Sequence, residues 1–240
     1  MNEDLPTSAR PGLTLVDVLS ALVVAAMAVG AALAWLNLPE GRYPVHMGLS
    51  GEVDRWAGKG EFITGLVTLT AVNALVAGLM AWFVRNPTMG RQVERAGPVF
   101  AVGRVVAVFG IAFGAAILLA LGFGLIRPGE NQTMTIRLIM AFVSLVILAV
   151  GEPLGKARPN ALAGVRTYFT LTSRLAWDKA NRLAGRLFFW IGLAGLAAAP
   201  FAPQPYAVLG LAAAIVVSII WTFIEAWRVW KSDPERRDAI

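Results

Sequence analysis

The sequence predicts an all-α integral membrane protein of about six transmembrane helices, with both termini cytoplasmic and an added cytoplasmic interfacial helix. Three observations carry this. The 240 residues are 57% hydrophobic and only 15% charged, against roughly 45–50% and about 25% in soluble domains. The apolar residues gather in six runs near the length of about 20 that crosses a hydrocarbon layer. Sixteen of the 21 lysines and arginines fall on one side of the resulting topology, and positively charged loops stay in the cytoplasm.

The elements follow in order. A short N-terminal segment with Glu3, Asp4 and Arg10 leads into the run 15–35. Ala32-Leu33-Ala34 resembles a small-residue cleavage site, but the acidic flank and the length of the run mark a retained helix. An outer loop at 36–61 precedes the run 62–84, which Asn86-Pro87 terminates. After an inner loop at 85–104 come the run 105–126, an outer turn at Arg127-Pro128-Gly129 and the run 136–150. An inner segment at 151–186 leads to the run 187–201, a turn with Pro200, Pro203 and Pro205, the run 206–227 and a charged tail. The runs 136–150 and 187–201 are short, so they extend into polar flanks, tilt little or thin the bilayer. Trp35, Trp82, Trp227 and Trp230 stand where aromatic belts form. Gly110 and Gly114 make a small-xxx-small pattern suited to close helix approach. Three units are expected: a helix pair with its outer loop (1–90), a central helix (91–135) and a C-terminal unit (136–240).

The net charge of +6 reads first as a topology signal. Attraction to anionic lipid headgroups is its secondary effect, so membrane lipids are expected partners and direct nucleic-acid binding is not. With no cysteine, disulfides and thiolate metal sites are excluded.

Within 151–186, Pro159-Asn160 begins a turn and Gly164 permits a positive dihedral angle before Arg166. Thr170, Thr172 or Ser173 can cap the next helix. There Arg174, Asp178 and Arg182 align as neighbours of alternating sign. Leu175, Trp177, Leu183 and Leu187 supply apolar surface, so this helix either lies at the headgroup boundary and bends into the run 187–201 or is a solvated surface helix whose charges satisfy topology.

Two polar motifs are not demanded by lipid. The first is Leu38-Pro39, Tyr43-Pro44-Val45-His46, Gly51-Glu52-Val53-Asp54-Arg55-Trp56 and Lys59. The second is Arg158-Pro159-Asn160, Gly164-Val165-Arg166-Thr167, Thr170-Leu171, Trp177 and Asn181-Arg182-Leu183-Ala184-Gly185. At these residues the chain resembles the sporulation-delaying toxin immunity protein family, in which an N-terminal domain of unknown function is paired with a C-terminal immunity domain. Under that resemblance 136–240 is the immunity-like unit. The chain departs from the pattern at Tyr168-Phe169, where the family has Pro-Trp, and at Asn181, where it has His; a proton-linked role for that His cannot operate here. The resemblance implies a multi-pass protein of the bacterial cytoplasmic membrane. A toxic peptide would be its outer partner and a transcriptional repressor its cytosolic one.

Chemistry at the motifs has alternatives. His46, with Glu52, Asp54 and Glu61 nearby, suits a loop-stabilising bond to a carboxylate; a divalent-ion site is the competing reading. Arg166, with Asn160 and Thr167, either recognises a carboxylate or phosphate or clamps helix-end carbonyls or Glu152. Thr70 and Asn73 share a helix face, where interhelical hydrogen bonding is the default. Asp17, Glu152 and Glu225 lie near helix ends where water is in reach, and mid-bilayer charge, the mark of an ion pathway, is missing. No nucleophile elbow, phosphate loop or paired-ligand helix is present. The expected protein is therefore non-enzymatic, with no catalytic residue, cofactor or metal; the resemblance implies that it confers immunity to, or senses, an amphiphilic peptide. Its outer site would hold Pro39, Pro44, His46, Gly51, Asp54, Trp56 and Lys59. Its inner site would hold Pro159, Asn160, Gly164, Arg166, Thr167, Trp177, Asn181 and Arg182. A small-solute or lipid transporter lined by Thr70 and Asn73 is the alternative, and an outward-facing metal-dependent hydrolase at His46 a lesser one.

Overall fold

Apolar sequence becomes long helix almost everywhere. The computed structural model describes residues 12–48, 51–127, 129–130 and 132–236; Glu3, Asp4, Arg10, Pro128 and Arg237 lie outside them. Helix α1 (Leu15–Asn37) starts at a reciprocal cap in which Thr14 Oγ1 accepts from Asp17 N and Asp17 Oδ2 accepts from Thr14 N. An antiparallel hairpin, β1 (Arg42–Met47) and β2 (Val53–Gly58), occupies the segment expected as a loop and runs directly into α2 (Lys59–Arg85). The inner loop expected at 85–104 is mostly helical too. Asn86 accepts from the amides of Thr88 and Met89 to cap an amphipathic helix, α3 (Pro87–Ala96). Gly97, at φ +57°, then turns the chain into α4 (Pro98–Gly122).

The second half holds α5 (Gln132–Leu154), the short α6 (Tyr168–Thr172), α7 (Arg174–Ala198) and α8 (Tyr206–Ser232). Five helices, α1, α2, α4, α5 and α8, are long and apolar enough to cross a membrane. The run 187–201 is different. It is the end of α7, one continuous helix that also contains the segment expected to bend away as an interfacial helix. No proline or backbone break falls between Arg174 and Ala198, and Trp177, Asn181 and Ala184 stay buried along one side.

Helices α1, α2 and α4 pack together, with Met27, Leu38, Tyr43, Phe62, Leu66 and Ala115 in one core. Helices α5, α7 and α8 form the other half, and α4 meets α5. The closest helix approach is not at Gly110 and Gly114, where an added Cβ would meet nothing within 4 Å. It is between α5 and α7: a Cβ on Gly151 would lie 2.6 Å from Phe189 N, and one on Gly192 would lie 2.5 Å from Leu148 N. Side-chain-free positions there let two backbones touch.

Asn73 confirms the interhelical reading of its helix. It has no exposed surface and donates to Val108 O at 3.1 Å and Met27 Sδ at 3.0 Å, tying α2 to α4 and α1. Thr70 bonds back to Leu66 O at 2.8 Å. Asp17 is half-buried; its carboxylate pairs with Arg104 and is bonded to Arg85 at 2.7 Å, so it joins the ends of α1 and α2 to α4.

Candidate functional site

The two motif clusters lie at opposite ends of α4. Val99, in its first turn, sits in one core with Trp177, Ala157 and Leu154. Gly122, its last residue, approaches Phe62 and Leu38 at the hairpin, so closely that a Cβ would fall 2.7 Å from the Phe62 ring. At 1.5 Å per residue that separation is about 34 Å, close to the roughly 30 Å of a hydrocarbon core.

At the hairpin end, β1 and β2 pair Tyr43 with Ala57, Pro44 with Trp56 and His46 with Arg55, with irregularities on both sides of His46. Proline is tolerated because a two-stranded sheet leaves an outer edge. Gly51, at φ +81°, helps close the turn: its amide donates to Gly48 O, and the Gly48 amide donates to Glu52 O. Both strands are tied to the helices. Tyr43 Oη donates to Pro39 O at 2.6 Å, and its ring meets Phe62 at 5.1 Å. Lys59, opening α2, places its ammonium 5.6 Å from the Trp35 ring centre and 3.9 Å from Glu40, a cation–π contact that draws the ends of α1 and α2 together.

The polar side chains face outward. His46 Nδ1 and Asp54 Oδ1 are 2.6 Å apart, with 66% and 51% of their side chains exposed. Arg55 pairs with Glu61 of α2, and Trp56 is exposed. His46 thus bonds one carboxylate, and among the described residues no group of three potential ligands converges on a metal position. Beneath the hairpin an open groove of about 610 Å³ runs between α1 and α2. Its walls include Ala28, Ala32, Trp35, Val67, Thr70 and Ala71. Thr70 therefore faces this groove, whereas Asn73 is sealed inside the helix junction.

At the other end the motif is a neutral, buried scaffold. Asn160 Oδ1 accepts from the amides of Leu162 and Ala163 at 2.8 Å each, while Nδ2 donates to Arg158 O and Ala163 O. That closes the turn begun at Pro159. Gly164, at φ +120°, is where the chain passes over α7; a Cβ there would sit 2.8 Å from Asn181 Oδ1 and 3.1 Å from the Trp177 ring. Asn181 Oδ1 accepts from Val165 N at 2.8 Å, and Nδ2 donates to Trp177 O at 2.9 Å. Trp177, fully buried, donates its indole N–H to Ala157 O at 2.8 Å. Thr167 caps α6 reciprocally with Thr170, and Ser173 caps α7. Helix α3 supports the same loop: Arg158 N donates to Arg95 O, and Ala161 N to Gln92 Oε1.

Two motif cations stand apart. Arg166 and Arg182 are exposed, without a side-chain partner among the described residues. The clamp between Arg166 and Glu152 does not form; Glu152 pairs instead with Lys156, just past the end of α5. Arg174, Asp178 and Arg182, for all their spacing, make no ion pair with one another. The Asp17–Arg85–Arg104 cluster escaped sequence reasoning altogether; the only signal was an aspartate opening an apolar run.

These features define a class, a multi-pass helical membrane protein with a polar motif cluster at each end of its helices. Residues 156–224 match the SdpI/YfhL protein family, and residues 21–71 match a domain of unknown function, DUF1648. The chain thus carries an SdpI-type segment behind a DUF1648-type segment, the two modules that its motifs resemble. The first match contains the buried inner scaffold; the second contains the hairpin and both walls of the α1–α2 groove. No curated protein and no solved structure matches the chain.

Proposed function

We propose that this protein protects a bacterium against, or senses, an amphiphilic toxic peptide at the cytoplasmic membrane, and does so without catalysis. The observation that carries this is the α1–α2 groove with the hairpin above it. Its walls are apolar and open sideways, and Trp35 links them to a rim of Lys59, Glu40 and the exposed His46–Asp54 pair. A peptide with one greasy face and one charged face matches such a surface, apolar residues in the groove and polar ones along the hairpin.

The SdpI-type segment supports an immunity role, and the charge distribution favours a cytosolic position for the inner scaffold. Exposed Arg166 would there meet an acidic surface on a cytosolic regulator. Helix α4, which touches both clusters, would couple them.

The test is a sensitivity assay across a panel of secreted antimicrobial peptides, comparing a deletion strain, the complemented strain and Ala71→Trp, which fills the groove from an exposed position. The deletion strain should become sensitive to at least one peptide. Ala71→Trp should remain at parental level in the membrane and still fail to protect. Unchanged sensitivity of the deletion strain to every peptide would rule out the immunity reading.

A further inference from the structure

We infer that the cleft between α5 and α7 binds the phosphate headgroup of an anionic membrane lipid. The cleft has a volume of about 550 Å³ and brings Lys156, Lys179, Arg182 and Arg186 around a single carboxylate, Glu152. Glu152 is taken by Lys156. Lys179, Arg182 and Arg186 have no anionic partner among the described residues. Three uncompensated cations in one concave site repel one another, and an oxyanion relieves that repulsion. Arginine adds a planar fork that matches phosphate oxygens, while lysine contributes a point charge.

The depth of the cleft selects a lipid over a free ion. Charge on α7 ends at Arg186, and the next residues, Leu187 to Ala198, are apolar or glycine. A helix passing from charged to apolar at this point sits at the headgroup boundary. The floor is built from Gly151, Gly155 and Gly185, where the two helices pack backbone against backbone and no side chain rises into the cleft. On its apolar side the cleft ends at Phe189 and at Trp190, which is 64% exposed. Trp190 also walls a second, mostly apolar hollow of about 410 Å³ with Ala194, Ala207 and Leu211, leading toward α8. A basic recess and an apolar one sharing a single tryptophan fit an amphiphile whose headgroup and acyl chain occupy the two. An inorganic anion has no use for the second.

Purified full-length protein in uncharged detergent tests this directly. Phosphatidylglycerol should raise its melting midpoint and stay bound in native mass spectrometry, whereas phosphatidylcholine and millimolar inorganic phosphate should do neither. Neutralising Lys179, Arg182 or Arg186 to Gln should weaken phosphatidylglycerol binding about fivefold per cation removed. Glu152→Gln should strengthen it by a similar factor, a gain that a merely structural role for these residues would not produce. Arg91→Gln with Arg228→Gln, both outside the cleft, should leave binding unchanged. Equal stabilisation by phosphatidylcholine, or undiminished phosphatidylglycerol binding after all three cations are neutralised, overturns the proposal. So does inorganic phosphate reproducing the whole shift, which would assign the cleft to a free anion.

Discussion

The two ends of the molecule solve the problem of holding a polar motif in opposite ways. The hairpin keeps its charged groups in water, as His46–Asp54 and Arg55–Glu61, and anchors itself through buried Tyr43 and Ala57. The inner motif buries neutral groups instead, threading 157–165 over α7 with Trp177 and Asn181 supplying the hydrogen bonds. Exposed ion pairs contribute little to stability, typically about 0–1 kcal/mol. A buried amide or indole left without its partner costs far more. The inner end is therefore a rigid frame on which two bare arginines are displayed, and the hairpin is an adaptable rim.

That contrast is easiest to break at Trp177. Trp177→Ala removes a fully buried ring and the bond to Ala157 O, and should cost about 3–5 kcal/mol, read as loss of the folded species in detergent melting. Next comes Asn181→Ala, which strands the Val165 amide and should cost about 1–3 kcal/mol. Asn181→His sharpens the point, since a neutral imidazole also offers one donor and one acceptor. That variant should outlast Asn181→Ala at neutral pH. It should then lose stability as pH falls below about 6.5, where protonation removes the acceptor that Val165 N needs. A flat pH profile for Asn181→His would show that the frame does not depend on that acceptor. At the hairpin, Tyr43→Phe deletes only the bond to Pro39 O and should cost about 1 kcal/mol. His46→Ala should cost less still, under about 1 kcal/mol, with the melting midpoint nearly unmoved. A large loss at His46 would reverse the comparison.

The helices were largely legible because lipid imposes one dominant demand, a long apolar run, and few sequences meet it by accident. Helix α1 and the starts of α5 and α8 fall within a few residues of the runs that predict them. The hairpin was not legible. Pro44 and His46 interrupt its alternation, and the glycines around its turn read as loop. His46 was correctly paired with a carboxylate, since both sit on one short polar stretch. Arg166 was not, because Glu152 had a nearer cation four residues on, in the turn after its helix. Helix contacts were least visible. Gly110 and Gly114 have the expected spacing, yet an added Cβ there would meet nothing within 4 Å, while Gly151 and Gly192 stand where two backbones come close. Spacing identifies a smooth helix face but does not say which neighbour uses it.

The carboxylate of Asp17 bears on how the chain is assembled as well as on how it is held. It emerges from synthesis long before Arg85, 68 residues later, and Arg104, 87 residues later. When α1 and α2 first lie side by side, Arg85 can neutralise it, and this early pair carries no net charge. Delivery of α4 then adds a second guanidinium, so the three-helix junction is complete only when the third long helix docks. A register shift between these helices would part the carboxylate from its guanidiniums.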